Sequence, residues 1–349
     1  MAIFLKKKTL PHYYSIIQRK SSPHYQLIKD IRVEAEELST LNVEGLWASH
    51  REGMKRYRKL LNQTSEQREK SKKSRSNHSL FDVKVALAER ILAKCHFCER
   101  RCHKNRKIGE LGTCGIGAEA VYTSEFLHVG EEPELIPSHT IFFSGCNFSC
   151  CYCQNWDIAT APRRGKVILP EEMVSLIQLR HREGSKNVNF VGGNPDPHLL
   201  TILKAIEKVQ IGLPMIWNSN MYCSSETMRL LDGVIDLYLA DFRYGNDQCA
   251  KTYSKVPNYF GTVSRNFKVA YRQTDVVLRH LVFPGHLECC TKPVMEWAAR
   301  NIPDVYFNLM FQYYPSYRAS SYPEINRSLT VEERKGALEL AAQTGIKIT

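Results

Sequence analysis

Short apolar runs alternate with amphipathic stretches from residue 138 onward. The runs predict β-strands at 140–144, 187–191, 214–218, 235–240, 276–282 and 304–311, and the stretches between and after them predict helices at 170–183, 197–209, 224–232, 246–254, 262–272, 291–301 and 331–344. Strands that alternate with helices form a parallel sheet with the helices outside it. Six units are too few for a closed eight-unit barrel. We therefore expect an α/β fold built on a partial (β/α)6 barrel of the TIM type.

The chain before residue 138 has a different character. Residues 62–79 contain no apolar side chain, so they cannot bury a core and are predicted to form a flexible linker. Residues 1–61 are predicted to be a basic N-terminal leader, helical in parts and irregular elsewhere. Residues 80–137 are predicted to hold a helix at 80–94 and a small four-cysteine segment that binds metal, and residues 138–349 the barrel.

The first predicted strand of the barrel runs directly into a loop that is dense in cysteine. Cys146, Cys150 and Cys153 have the spacing C-x3-C-x2-C. Thiolates at the end of a sheet are one way to hold an iron–sulfur cluster, and three of them leave one iron of a four-iron cluster open. An open iron is a place for a cofactor or a substrate to bind. A rival ligand set replaces Cys150 with Cys151, which changes the spacing to C-x4-C-x-C.

A second group of cysteines lies upstream of this loop. Its members are Cys95, Cys98, Cys102 and Cys114, with the spacing C-x2-C-x3-C-x11-C and several glycines near the last one. This spacing fits a structural zinc ion or a second iron–sulfur cluster. Four reduced thiols without a metal are the alternative.

Polar and glycine residues gather where the predicted strands end. Gly192, Gly193 and Asn194 follow the second strand, and Asn218 and Asn220 end the third. The later strands end in 241–245, 284–286 and 311–314, which are also polar or glycine-containing. Because the carboxyl ends of parallel strands meet on one face, we expect a functional site there.

Two further pairs of residues near this face have candidate chemistry. Arg279 and His280 are candidates for binding a substrate carboxylate or phosphate, although alternation along a strand turns only one of them inward. Cys289 and Cys290 are either a redox-active pair, a hydrogen or thiyl donor, or two packed thiols.

Composition and charge narrow the class of protein. Twelve cysteines, most of them in two tight groups, favour metal chemistry in an intracellular chain over disulfide bonds. The chain has no apolar run near the roughly 18 residues that span a bilayer and no secretory signal, so we expect a cytoplasmic protein without a membrane partner. Residues 1–23 also faintly resemble an organellar transit peptide, being basic and free of acidic residues.

The net charge of +12 is concentrated at the N-terminus. Residues 1–94 hold 20 of the 48 basic side chains and 10 of the 36 acidic ones, so the rest of the chain is close to neutral. A basic leader either binds an acidic partner or RNA or is a solvated helix and linker, and the second interpretation is favoured.

With its strand–helix pattern and its C-x3-C-x2-C loop, the chain resembles the radical SAM enzymes. Members of that family carry this loop after the first strand of a partial barrel, with an aromatic residue before the last cysteine, here Tyr152. Over residues 95–345 the chain is most similar to a largely uncharacterised subgroup of the pyruvate formate-lyase-activating-enzyme branch. Residues 1–80 lie outside the resemblance.

The resemblance implies a [4Fe-4S] cluster on Cys146, Cys150 and Cys153, with S-adenosylmethionine on the open iron. One-electron reduction would then yield a 5′-deoxyadenosyl radical that abstracts hydrogen from a substrate. By position, Tyr152 would lie near the adenine. Gly192 and Gly193 would receive the methionine amine, and Asn218 and Asn220 are candidates for ribose contacts. Asn194 stands where many members have an acidic residue, which leaves the amine to backbone carbonyls and the role of the Asn194 side chain open.

The resemblance also implies partners. An electron donor such as flavodoxin or ferredoxin would reduce the cluster, and a partner protein is a candidate substrate, as in enzymes that install a glycyl radical. Alternatives are a radical SAM enzyme that modifies RNA or a small molecule, or a zinc-binding interaction protein without catalysis.

Overall fold

A mixed eight-stranded sheet forms the centre of the computed structural model, which describes residues 9–34, 37–63, 78–162 and 164–348. The strands are β1 (Val121–His128), β2 (Ser138–Phe143), β3 (Lys166–Val167), β4 (Val188–Gly192), β5 (Met215–Ser219), β6 (Leu237–Asp241), β7 (Asp275–Leu281) and β8 (Tyr306–Met310). Their order in the sheet is β3-β1-β2-β4-β5-β6-β7-β8.

Helices cover the sheet and extend into the N-terminal segment. They are α1 (Pro11–Ile17), α2 (His24–Asp30), α3 (Val43–Leu61), α4 (Leu80–Ala93), α5 (Trp156–Ala159), α6 (Pro170–Arg182), α7 (Leu199–Lys208), α8 (Ser225–Leu231), α9 (Asp247–Ser254), α10 (Tyr259–Gln273), α11 (Lys292–Asn301) and α12 (Val331–Thr344). Short 3-10 turns lie at Arg106–Ile108, Asp196–His198, Ala319–Ser321 and Pro323–Ile325, and a π turn at Leu287–Thr291. None of the described helices is long and apolar enough to cross a membrane.

The prediction of a partial α/β barrel is confirmed. Strands β2, β4, β5, β6, β7 and β8 pair in parallel, and each starts and ends within two residues of its predicted bounds. Within the described residues, β8 does not pair with the opposite edge, so the sheet is not closed. The antiparallel strands β1 and β3 on that edge were not predicted, because β1 is mostly half-buried without a clear apolar alternation and β3 is an exposed strand of two residues.

The two faces of the sheet bury different layers. The outer face carries Phe190, Trp217 and Tyr238, which belong to one large core with the covering helices. The inner face carries a smaller apolar layer that includes Ile216, Leu239 and other fully buried side chains. Side chains that alternate along each strand produce this division.

Helix α1 closes the inner layer at the N-terminal ends of the strands. Leu10 and Tyr13 are fully buried in it. The Tyr13 backbone N–H donates to Asp275 Oδ2 at 2.7 Å, and Asn187 Nδ2 donates to the Tyr13 hydroxyl at 2.9 Å. The N-terminal segment is therefore packed against the barrel. The division at residues 61 and 79 stays a prediction, and most of the predicted linker, 64–77, lies outside the described residues.

Asp236 fastens this N-terminal segment to the sheet. Its buried carboxylate accepts from the backbone N–H groups of His24 and Met215, at 2.8 Å and 2.9 Å. The His12 Nε2 atom lies 2.9 Å from the same carboxylate. One side chain thus joins α1, α2 and β5 below the barrel, on the side opposite the cysteine loop.

We expect Asp236→Ala to destabilise the whole chain. Each buried donor left without its acceptor costs about 1–3 kcal/mol, so the unfolding midpoint in urea should fall clearly. The exposed Asp304→Ala variant is the matched control and should leave the midpoint almost unchanged. Equal midpoints for the two variants, measured by circular dichroism, would show that Asp236 does not fasten the N-terminal segment.

Candidate metal centre

The loop from Cys146 to Cys153 leaves the carboxyl end of β2 and is held by backbone bonds to distant segments. Its Ser149 and Cys151 N–H groups donate to the carbonyls of Ser254 and Tyr253, at 3.0 Å and 2.8 Å. The Arg318 N–H donates to the Cys151 carbonyl at 2.7 Å. The end of α9 therefore fixes the shape of this loop, although α9 lies about a hundred residues further along the sequence.

Cys150 receives two polar donors at its sulfur. Ser254 Oγ lies 2.9 Å from Cys150 Sγ, and Arg243 Nη1 lies 3.3 Å from it. A cationic donor and a hydroxyl donor stabilise a thiolate rather than a thiol. The neighbouring Cys151 lies towards Lys255 and Glu324, and burial raises the pKa of its thiol to about 11.

The other two thiols of the loop are close to Cys150 and poorly solvated. Burial, followed by the charge of Cys150, raises the pKa of Cys146 well above its ordinary value. The same two causes raise the pKa of Cys153 to about 12. Three crowded thiols with little solvent are unfavourable as bare anions, and a metal core with positive charge would offset this cost. The donor set therefore fits an iron–sulfur cluster.

The start of the loop touches the end of β4 through glycines. Gly192 has a φ of +117°, and a Cβ there would lie 2.1 Å from the Phe143 carbonyl oxygen. A Cβ on Gly193 would lie 2.2 Å from the Gly145 carbonyl oxygen. The Gly193 N–H donates to Phe143 O at 2.8 Å. Only glycine permits this approach, which leaves the β4 turn directly beside the cysteine loop.

The asparagines at the strand ends form a buried polar cluster beside Cys146. Asn220 Nδ2 donates to Asn147 Oδ1 at 2.7 Å and lies 3.9 Å from Cys146 Sγ. Asn194 Oδ1 accepts from the Asn220 N–H at 3.4 Å, while its buried Nδ2 has no hydrogen-bond partner among the described residues. Burial raises the pKa of Asp196 to about 7, and this effect is larger than the lowering of the pKa by the neighbouring Asn194 and Asn147 side chains. The polar atoms of this cluster therefore lie close to one another beside Cys146.

Asn218 belongs to a charged layer inside the barrel. Its Oδ1 accepts from Arg279 Nη2 at 2.7 Å. Arg279 also pairs with Asp241 at 2.9 Å and with Glu131 at 3.3 Å, and Asp241 in turn accepts from Arg243 Nη2 at 2.7 Å. Although burial alone would raise the pKa of Asp241, the two guanidinium groups hold it below its usual value. Alternating charges thus lead from the barrel interior to the Cys150 sulfur.

Of the predicted pair on β7, only Arg279 faces this interior. It lines a cavity of about 300 Å³ together with Glu131, Glu132, Asn308 and Gln312. His280 is fully buried on the other face of the strand, with Nδ1 2.7 Å from the Phe242 carbonyl and Nε2 3.0 Å from Thr291 Oγ1.

Tyr152 is buried within the wall of the site. Its ring packs edge-on against Phe283, with the centroids 4.5 Å apart. Its hydroxyl lies 2.6 Å from that of Tyr244, which lies 2.6 Å from Ser254 Oγ. A chain of hydroxyl groups therefore leads from Tyr152 to the donor of Cys150.

The four upstream cysteines also come together. The Cys102 and Cys114 sulfurs both lie next to Gly112. A Cβ built on this glycine would be 3.7 Å from the Cys102 sulfur and 3.1 Å from the Cys114 sulfur. Burial is the main cause that raises the pKa of Cys98, with further increases from Asp196, Cys114 and Cys95. All twelve cysteines are free of disulfide bonds. A cluster of four neighbouring thiols can hold a single metal ion or an iron–sulfur cluster.

A buried arginine supports this upstream group. Arg106 Nη1 lies 3.6 Å from Cys95 Sγ, and its other nitrogens donate to the Gly117 and Pro197 carbonyls. The group also touches the three-cysteine loop, because a Cβ on Gly145 would lie 2.7 Å from the Cys114 carbonyl oxygen. The two cysteine groups therefore share one wall.

Several of these residues were missed in the sequence. Arg106 and Ser254 carry no local signal, because they act on sulfurs 11 and 104 positions away. Arg243 and Tyr244 lie in the polar segment after the fourth predicted strand, which indicates their place on the face but not their contacts. Asp196 follows the two glycines and could have been found from that position.

Comparison with known proteins identifies the family. Residues 140–298 match the radical SAM superfamily model. The chain is also 45% identical over 322 residues to an uncharacterised protein of Methanocaldococcus jannaschii. The matched residues make up 90% of this chain and 92% of the relative.

Two solved structures are more distant. The crystal structure of HydG, a maturase of the [FeFe]-hydrogenase, aligns with 98% of this chain and 63% of its own at 12% identity and a TM-score of 0.43. The crystal structure of Streptococcus suis SuiB bound to S-adenosylmethionine aligns with 58% of this chain and 47% of its own at 11% identity and a TM-score of 0.41. The chain thus spans less than half of SuiB and somewhat under two thirds of HydG. On the family match and the 45% identical relative, the chain belongs to the radical SAM superfamily.

Proposed function

We propose that this chain is a radical SAM enzyme whose [4Fe-4S] cluster is held by Cys146, Cys150 and Cys153. Membership of the superfamily implies the cluster and S-adenosylmethionine. The observation that carries the choice of ligands is the pair of donors at Cys150 Sγ, from Ser254 and Arg243. These donors favour Cys150 over Cys151 as the middle ligand of the loop.

When bound, the cluster and S-adenosylmethionine supply the one-electron cleavage that yields a 5′-deoxyadenosyl radical for hydrogen abstraction. The protein's own residues bind and orient the cofactor. The Gly192–Gly193 turn offers backbone carbonyls to the methionine amine, close to the start of the cysteine loop. Asn194 and Asn220, beside Cys146, are proposed to bind the polar part of the cofactor, with Asn218 on the ribose side and Tyr152 on the adenine side.

The charged layer below this face is proposed to receive the substrate. Arg279, Glu131 and Glu132 line a cavity of about 300 Å³, and their charges favour a polar group over an apolar one. A cavity of this size admits one or a few side chains rather than a whole folded partner. This supports a peptide segment presented by a partner protein, as in enzymes that install a glycyl radical, with a flavodoxin or ferredoxin as the electron donor.

We expect the anaerobically reconstituted chain to form 5′-deoxyadenosine from S-adenosylmethionine when reduced by dithionite or a ferredoxin. Cys150→Ala should lower this rate by more than about 100-fold. Replacing a residue that only hydrogen-bonds to a metal ligand typically lowers activity about 10–100-fold, and loss of the ligand itself should cost more. Cys151→Ala is the matched control and should retain the cluster and most of the rate.

The product is measured by liquid chromatography and the iron by chemical analysis. If Cys151→Ala loses the cluster and Cys150→Ala keeps it, the rival spacing is correct. A chain that binds zinc alone, without iron, would refute the enzymatic proposal. Adding candidate partner proteins and following hydrogen transfer from them tests the substrate class separately.

Arg243 is expected to tune the cluster. Its positive charge near Cys150 stabilises the reduced, more negative state, so Arg243→Gln should make the midpoint potential more negative. The expected shift is on the order of 60 mV, which equals a tenfold change for a one-electron couple. Spectroelectrochemical titration measures it, with Arg327→Gln, an exposed arginine paired with Glu333, as control. An unchanged midpoint potential in Arg243→Gln would show that the Arg243 charge does not act on the cluster.

A further inference from the structure

A second set of metal-type ligands converges outside both cysteine groups. Cys249 lies in the first turn of α9, and His286 and Cys289 follow β7. The ligand atoms of these three side chains all lie within 4.8 Å of one another. Both segments follow the carboxyl ends of parallel strands, so the set lies on the same face of the barrel as the three-cysteine loop.

The sulfur spacing matches tetrahedral coordination. Cys249 Sγ lies 4.0 Å from Cys289 Sγ, and Cys289 Sγ lies 3.9 Å from Cys290 Sγ. A tetrahedral zinc ion with Zn–S bonds of about 2.3 Å holds its sulfurs about 3.8 Å apart. The observed distances are close to this value and about twice the length of a disulfide bond, which is roughly 2.05 Å.

The histidine is oriented as a ligand by its neighbours. His286 Nδ1 lies 2.7 Å from the Pro284 carbonyl oxygen, which fixes the proton on Nδ1 in the neutral ring. The lone pair then lies on Nε2, 3.0 Å from the Tyr253 hydroxyl, whose single proton can go either to Nε2 or to Glu324. Nε2 is free to bind a cation when that proton goes to Glu324. That hydroxyl lies 2.7 Å from Glu324 Oε1, an acceptor for its proton. Tyr253 follows Cys249 by four residues, so both lie on one side of α9.

The two segments are also built to stay together. Asn246 caps α9 by accepting from the Cys249 N–H at 2.8 Å, and its Nδ2 donates to the Cys289 carbonyl at 2.8 Å. The same Nδ2 lies 3.3 Å from Cys249 Sγ. A Cβ on Gly245 would lie 2.7 Å from Cys289 O, so only glycine allows the close approach of these backbones.

We propose that Cys249, His286 and Cys289 form a separate site for one divalent cation that prefers thiolate ligands, of the zinc class. Two sulfurs and one imidazole suit zinc, and Cys290 is placed next to Cys289 as a neighbour of the site. The exposed Cys289 gives the ion a route from solvent. This site does not depend on the proposed radical chemistry.

The site is connected to the three-cysteine loop through α9. Ser254, at the end of this helix, donates to Cys150 Sγ, and Tyr253 O accepts from Cys151 N. A cation on Cys249 and Cys289 therefore joins the segments after β6 and β7 and fixes the helix that supports Cys150. Its inferred role is to stabilise this face rather than to react.

Alkylation of individual cysteines by iodoacetamide tests the proposal in the full chain, under anaerobic conditions. Mass spectrometry of peptides reports Cys249 and Cys289 separately from the other cysteines. Zn²⁺ added to the iron-reconstituted chain, in excess of what the upstream four-cysteine group can bind, should slow the alkylation of both by at least about tenfold, because bound thiolates are no longer free nucleophiles. Removing the zinc with a chelator should restore the original rates.

Two variants identify the ligands. In His286→Gln, zinc should no longer slow the alkylation of Cys249 and Cys289. In Cys289→Ser, zinc should no longer slow the alkylation of Cys249. The exposed control His181→Gln should behave as the unchanged chain. Cys289 is exposed, so its replacement keeps the test valid even if His286→Gln does not fold. Equal alkylation rates with and without zinc would overturn the proposal. So would a disulfide between Cys249 and Cys289 in the anaerobic chain.

Discussion

Sulfur atoms gathered in a buried loop repel one another once they lose their protons, and the surroundings of Cys146, Cys150 and Cys153 respond to that constraint. Burial and mutual proximity make the thiolates unfavourable, as the raised pKa values of Cys146 and Cys153 indicate. The Ser254 hydroxyl and the Arg243 guanidinium donate to Cys150 Sγ, and the glycines at the end of β4 allow this strand end to pack directly against the loop. These features are consistent with a cationic metal core and would be costly without one.

A layer of paired charges inside the barrel connects the surroundings of Cys150 to the interior of the sheet. Arg279 binds side chains from β5 and β6 and from the segment between β1 and β2, and Asp241 joins it to Arg243. A buried charge is stable only when it is paired, so the strands cannot shift independently without breaking these pairs. Helix α1 seals the layer from below through Asp236 and Asp275. The position of the site therefore depends on contacts that span almost the whole chain.

The sequence predicted the parallel strands well because their apolar runs are continuous and bounded by turns. It also indicated the three-cysteine loop as a candidate ligand set, because the ligand spacing there is local, and that assignment stays a prediction. The half-buried strand β1 and the short, exposed strand β3 lack such a pattern. Contacts such as His12 with Asp236, 224 positions apart, or Ser254 with Cys150 depend on the finished fold and leave no mark in a local window. Cys289 was noticed beside Cys290, but its approach to Cys249 and His286 was not.

The central claim is that the three-cysteine loop holds a four-iron cluster with one open iron beside the β4 turn. Electron paramagnetic resonance of the reduced chain tests it most directly, because the signal reports the ligands of the cluster. The account predicts a cluster signal whose g-values change when S-adenosylmethionine is added, and no such change in Cys150→Ala. A signal that is insensitive to S-adenosylmethionine in the unchanged chain would contradict the account.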